Sequence, residues 1–112
     1  MKLAALKQII ENGGATLNSN GQAVNFARGY QVSAKDICEI TIKKANKILR
    51  VVNRLLKSVS ASEFVGIWIN NGVAFVDVSE RIDKLSDAMN AGITRGQWSI
   101  YDWTMRRCIA TR

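Results

Sequence analysis

The stretch Phe64-Val65-Gly66-Ile67-Trp68-Ile69-Asn70-Asn71-Gly72-Val73-Ala74-Phe75-Val76-Asp77-Val78 decides the fold. Two runs rich in β-branched and aromatic residues flank an Asn-Gly pair. Asn-Gly tolerates the positive φ angles of a type I′ turn, whose twist matches that of the flanking strands. A two-residue loop fixes the register, so Asn70 faces Val73, Ile69 faces Ala74, and so on outward. One face then holds Val65, Ile67, Ile69, Ala74, Val76 and Val78; the other holds Phe64, Gly66, Trp68, Phe75 and Asp77. The first face is purely aliphatic and is the expected core. Asp at Ile67 or Val76 should therefore unfold the chain, whereas Asp at Thr16 should matter far less.

Downstream, a helix is expected near 83–94, with Asp83 as candidate N-cap. Leu85, Ala88, Met89 and Gly92 share one side, and Gly96 ends the helix. Two more strands follow, Gln97 to Tyr101 and Arg106 to Ala110. Asp102-Trp103-Thr104-Met105 forms the turn between them, with Asp in its favoured first position.

Upstream, segment 34–58 has two readings. Ile37, Ile40, Thr41 and Ile42 are β-branched and favour a strand near 37–42, followed by a helix from about 44 to 58. Yet the helical phase extends back through Thr41, Cys38 and Ala34, and Ser33-Ala34-Lys35-Asp36 resembles a capping box. The strand-then-helix reading is preferred. Residues 14–33 are rich in Gly, Asn and Ser, with Asn18-Ser19-Asn20-Gly21 a turn between short strands. Leu3, Leu6, Ile9 and Ile10 mark a short first helix that Gly13-Gly14 stops. The expectation is one α+β domain over 1–112: an antiparallel sheet with helices packed mainly on one face, in the order α-β-β-α-β-β-α-β-β.

On the 44–58 helix, Ala45, Ile48, Leu49, Val52, Leu55, Leu56 and Val59 form one apolar face. Lys43, Lys47, Arg50, Arg54 and Lys57 recur at spacings of 4, 3, 4 and 3, within an arc of about 80° directly opposite. Lys44 lies to one side. The chain has 16 cations and 9 acids, net +7; without the six cations of 43–57 the balance is ten against nine. The protein is thus nearly neutral with one basic helix attached. The row repels itself. It reads either as a solvated face or as a docking surface for an acidic protein or for phosphate backbone.

Composition excludes several chemistries. At 112 residues, 47% hydrophobic and 22% charged, the chain suits one globular domain. With no His, a Ser-His-Asp triad, a Cys-His pair and a His metal site are impossible. Two cysteines, Cys38 and Cys108, cannot make a Cys-rich zinc site, and free thiols are the preferred reading. No stretch approaches roughly 18 apolar residues, and Lys7, Gln8 and Glu11 interrupt the first apolar run, so neither a membrane span nor a signal peptide is expected. A cytoplasmic, non-enzymatic protein without metal or cofactor is the expectation.

Trp68 and Phe75 form a cross-strand pair that either stacks on a ligand or belongs to a second layer of core; Phe64, Trp98, Tyr101 and Trp103 extend either patch. Asp77 and Asp102 could pair for acid/base work. Turn chemistry and solvent exposure are the preferred account of both.

The layout resembles small uncharacterised proteins carried by phages and mobile elements of bacteria. The resemblance rests on Gly13-Gly14-Ala15-Thr16-Leu17, Gly29-Tyr30-Gln31-Val32-Ser33, Gly66-Ile67-Trp68, Val76-Asp77-Val78-Ser79 and Gln97-Trp98-Ser99-Ile100-Tyr101-Asp102-Trp103. It implies an anti-defence or accessory role and carries over no functional residues. The expected function is that of an interaction module. Lys43, Lys47, Arg50, Arg54 and Lys57 would engage an acidic partner, with Trp68 and Phe75 as anchors. The alternative is direct nucleic-acid binding by the same helix, with Asn46, Arg50 and Asn53 the only candidates to reach base edges. No helix-turn-helix partner is recognisable.

Overall fold

The computed structural model describes all residues, 1–112. The Phe64–Val78 hairpin sits at the centre of a six-stranded, wholly antiparallel sheet. Its strands are β1 (Gly14–Leu17), β2 (Tyr30–Thr41), β3 (Glu63–Asn70), β4 (Val73–Ile82), β5 (Ser99–Asp102) and β6 (Arg107–Ala110), in the order β1-β3-β4-β2-β5-β6. Three helices, α1 (Leu3–Glu11), α2 (Ala45–Ser58) and α3 (Leu85–Thr94), complete the α+β fold in the expected order. The hairpin register is the expected one, from Asn70↔Val73 through Trp68↔Phe75 and Ile67↔Val76 to Val65↔Val78. Asn71 and Gly72 take φ of 50° and 74°, the positive values that the turn demands.

All three helices cover the aliphatic face. Leu6 of α1 and Ile48 and Val52 of α2 close over Val65, Ile67, Ala74 and Val76, all essentially buried. A smaller cluster sets Ala88 of α3 against Val32 and Ile100. Asn18 Oδ1 accepts from the Asn20 and Gln22 amides, which makes the expected Asn-rich turn. Asp102 Oδ1 accepts from the Thr104 and Met105 amides, which makes the other.

Several boundaries differ from the sequence reading. The strand expected near 37–42 begins at Tyr30 and runs twelve residues. Ser33-Ala34-Lys35-Asp36 lies inside it and caps nothing; the Ser33 hydroxyl donates to Asp36 Oδ1. Register shifts at Ser33/Lys35 and Asp36/Cys38 bend this strand. Such bulges break the period-2 pattern, which is why the segment mimicked helical phase. A 3-10 turn, Ile42–Lys44, links β2 to α2. Helix α3 begins at Leu85 rather than Asp83, because Asp83 pairs with Arg81 and supplies no cap. The last two strands start at Ser99 and Arg107, two and one residues late.

The sheet curls strongly away from its helices. Thr16 of β1 and Gln31 of β2 are separated by β3 and β4, about 14 Å across a flat sheet at the usual strand spacing. Their side chains meet at 3.2 Å. Trp68 of β3 and Tyr101 of β5 are equally far apart in strand order, yet their ring centroids lie 5.9 Å apart. The helix-free face is therefore the inside of a half-barrel. Thr16 is 3% exposed there, so the milder effect expected of Asp at Thr16 has to come from its polar surroundings and not from exposure.

Candidate functional site

Two surfaces carry chemistry, and they lie on opposite sides of the sheet. The first is the outer face of α2 with the turn before it. Lys43, Lys44, Lys47, Arg50, Arg54 and Lys57 are all exposed. The chain makes two ion pairs, Arg81–Asp83 and Arg95–Glu80, and neither involves this face. Helix α1 packs beside α2 and brings Lys7 to Lys43, Lys44, Lys47 and Arg50 around a shallow groove of about 590 Å³. Sequence reasoning missed Lys7, because only tertiary packing joins the two helices. Of the three base-edge candidates, Asn53 is engaged elsewhere. Its Oδ1 accepts from the Met1 amino group at 2.7 Å, and its Nδ2 donates to the Met1 carbonyl. Asn46 and Arg50 remain free at the surface. Cys38, on the helix-covered face, is a free thiol whose pKa burial pushes up, while nearby Lys47 and Arg54 pull the other way.

Trp68 and Phe75 do not join the stripe. Strand alternation sends them to the face opposite Ile67 and Val76, so the sheet lies between them and α2. They help form the second surface, a cleft of about 840 Å³ inside the half-barrel. The cleft exists because β5 pairs with β2 only at Tyr30 and Gln31, while β2 runs on to Thr41 beside β4. Beyond Gln31, the β5–β6 hairpin leaves the sheet plane, and Tyr101, Trp98 and Cys108 face Trp68, Phe75 and Asp77 across the gap.

The closed end of the half-barrel is a polar knot under aromatic rings. Gln31 Nε2 donates to Ser79 Oγ at 2.7 Å and to Thr16 Oγ1 at 3.2 Å. Gln31 Oε1 accepts from Trp103 Nε1 at 3.1 Å. Trp103 packs edge-on against both Tyr101 and Phe26, and Phe26 against Phe64. For Phe64 and Trp103 the second-core-layer reading thus holds. Phe26, in the 18–29 loop, supplies its lid and was not singled out from sequence. Trp98 behaves differently: it is 75% exposed, with the Arg112 guanidinium 5.3 Å from its ring centre.

Asp77 is the main correction. The sequence reading assigned it to solvent, but it is largely buried on the cleft floor. Burial and the neighbouring Asp36 carboxylate push its pKa up to about 6, while the Ser33 hydroxyl and Gly66 amide oppose the shift. Asp36 is its direct cross-strand partner, and like charges so opposed repel. Its Oδ1 is out of reach of water and has no hydrogen-bond donor. The cross-strand partner on the other side is Gly66, and a Cβ there would stand 2.2 Å from Oδ1. Any larger residue at this position would push the carboxylate out of its present place. The legible signal was the Gly66-Asp77 pairing, which the hairpin register already contained. Asp102, by contrast, is occupied by its turn and does not pair with Asp77.

No protein-family model matches the chain, and no curated protein or solved structure does. No helix is long and apolar enough to cross a membrane.

Proposed function

We propose that this is a non-enzymatic accessory protein, of the phage or mobile-element kind its layout resembles, that docks on nucleic-acid phosphate through the outer face of α2. The observation that carries the reading is a row of exposed cations with no acidic partner within the chain. From Lys43 to Lys57 the row spans roughly 20 Å at about 1.5 Å per residue. That length runs past about six phosphates of one strand at 3.4 Å each. Lys7 widens the row at its Lys43 end.

The placement of Trp68 and Phe75 favours phosphate over an acidic protein, which reverses the order drawn from sequence. Protein interfaces draw their affinity from buried aromatic or aliphatic anchors. The large exposed apolar side chains, Leu85, Ile93, Trp98 and Met105, all lie outside α2. Phosphate contacts need no such anchor. With Asn53 engaged by Met1, base-edge readout falls to Asn46 and Arg50, which supports binding with little sequence preference.

The test is a salt titration of binding to random-sequence duplex DNA. Neutralising five phosphates gives a slope of log affinity against log salt near about −4.5. Arg50→Glu combined with Arg54→Glu should lower affinity at least tenfold and flatten the slope. Absence of duplex binding at low salt, with capture of an acidic protein that the double variant fails to bind, would overturn the reading in favour of a protein partner.

A further inference from the structure

The cleft on the helix-free face has no part in phosphate docking, and its chemistry is opposite. Sixteen residues line it; Asp36, Glu39 and Asp77 are among them, and no Lys or Arg is. That lining runs against the composition of the chain, whose cations outnumber its acids 16 to 9. We propose that the cleft is a binding site for a small organic cation with N–H donors, an ammonium or guanidinium group on a short apolar stem.

Four observations converge on that ligand. A cleft of about 840 Å³ has the size of a small-molecule site rather than of a packing defect. Trp68, Phe75, Tyr101 and Trp98 present ring surface, which attracts cations through the π-electron face and buries an alkyl stem. The rim shows the same affinity internally, since the Arg112 guanidinium already rests over Trp98. Asp77 sits on the floor beside Asp36, a like-charged pair that a cation between the rings would offset. N–H donors are specified because the Asp36, Glu39 and Asp77 carboxylates that line the cleft are hydrogen-bond acceptors. A quaternary ammonium would leave them unpaired. An acid set beside a like charge on the floor of a cleft is an arrangement that functional sites use.

The ionisable groups facing Asp77 are Asp36 and Glu39 from β2, Tyr101 from β5 and Cys108 from β6. A bound cation favours the ionised acid, so affinity should rise with pH as Asp77 loses its proton.

Butylguanidine and butylurea make the decisive probe pair, because they share a shape and differ in charge. Calorimetry and tryptophan fluorescence at pH 8 should show butylguanidine binding in the roughly millimolar range that its size permits, at least tenfold tighter than butylurea. The preference should shrink at pH 5. Asp77→Asn, checked by circular dichroism for a native fold, should lose most of the preference, the remainder being held by Asp36 and Glu39. Asp36→Asn, at an exposed position, should fold normally and reduce the preference partly. No binding of butylguanidine, equal binding of both probes to the wild type, or an unchanged preference in both variants would overturn the proposal. Charge reversal at Arg50 and Arg54 leaves this site untouched, so its outcome and that of phosphate docking are read separately.

Discussion

On the helix-covered face of the sheet, Val65, Ile67, Ala74 and Val76 meet Leu6, Ile48 and Val52 in a dry aliphatic cluster. On the reverse of the same strands, Gly66, Trp68, Phe75 and Asp77 meet a glutamine-centred hydrogen-bond network, a chain of aromatic rings and an open cleft. One register sets both, because alternate residues of a strand point to opposite sides. The faces differ in how they are closed. Helices seal the first by burying their own apolar stripes. The second is closed only by the curl of the sheet and by Phe26, and the curl leaves one end open. The first face has room only for stabilisation, whereas the second holds groups that cost stability.

The largest effect is expected where the dry face is breached. Ile67→Asp would place an unpaired charge among side chains with no exposure, a cost of about 5 kcal/mol or more, comparable to the stability of a whole small domain. Loss of the cooperative melt by circular dichroism is the expected result. A wild-type melting temperature would break the assignment of faces. Thr16→Asp probes the reverse side at an equally buried position. Gln31 can turn donors toward a carboxylate there, so the expected cost is lower, about 2–3 kcal/mol, with the fold retained. If Thr16→Asp proved as damaging as Ile67→Asp, the two faces would be alike in kind.

Asp77→Asn should move stability the other way. Between the ordinary carboxylate range near 4 and about 6, the folded chain holds a proton on Asp77 that the unfolded chain has released. The folded state binds more protons in that window, so stability falls as pH rises through it. About two pH units amount to about 3 kcal/mol. The asparagine variant lacks this loss. Its melting temperature should exceed that of the wild type by as much as roughly 10 °C at pH 8, and the gap should close by pH 4. A pH-independent difference would mean that Asp77 is not the group responsible.

These contrasts also explain what could be read in advance. The Asn-Gly turn, the hairpin register, the aliphatic face, the Asp102 turn and the α2 cation row are local or periodic features, and each was legible. The curl was not, because it depends on where β5 stops pairing with β2, which no local pattern records. With the curl went the burial of Thr16 and Asp77 and the cleft itself, whereas the separation of Trp68 and Phe75 from the stripe follows from strand alternation alone. The two bulges in β2 hid its length by the same mechanism that bends it. Asn53 looked like a free polar residue on a helix until Met1 occupied it.

The smallest expected effect lies on α2, and it separates a docking surface from a structural one. Arg50 stands one turn from Lys47 and one from Arg54, and its outer side chain touches neither core cluster. Arg50→Glu turns two repulsive neighbours into attractive ones. Each such change is worth a few tenths of a kcal/mol in a helix, so the variant should be more stable by about 0.5–1 kcal/mol at low salt. Salt screens exposed pairs, and the gain should fade toward zero near 1 M, where the screening length is about 3 Å. Thermal melts across a salt series measure this directly. A loss of stability would show that Arg50 supports the fold, and its effect on DNA binding could then be indirect. A gain, together with weakened binding, would mean that the helix carries its charge row at a cost to its own stability, as a surface kept for a partner does.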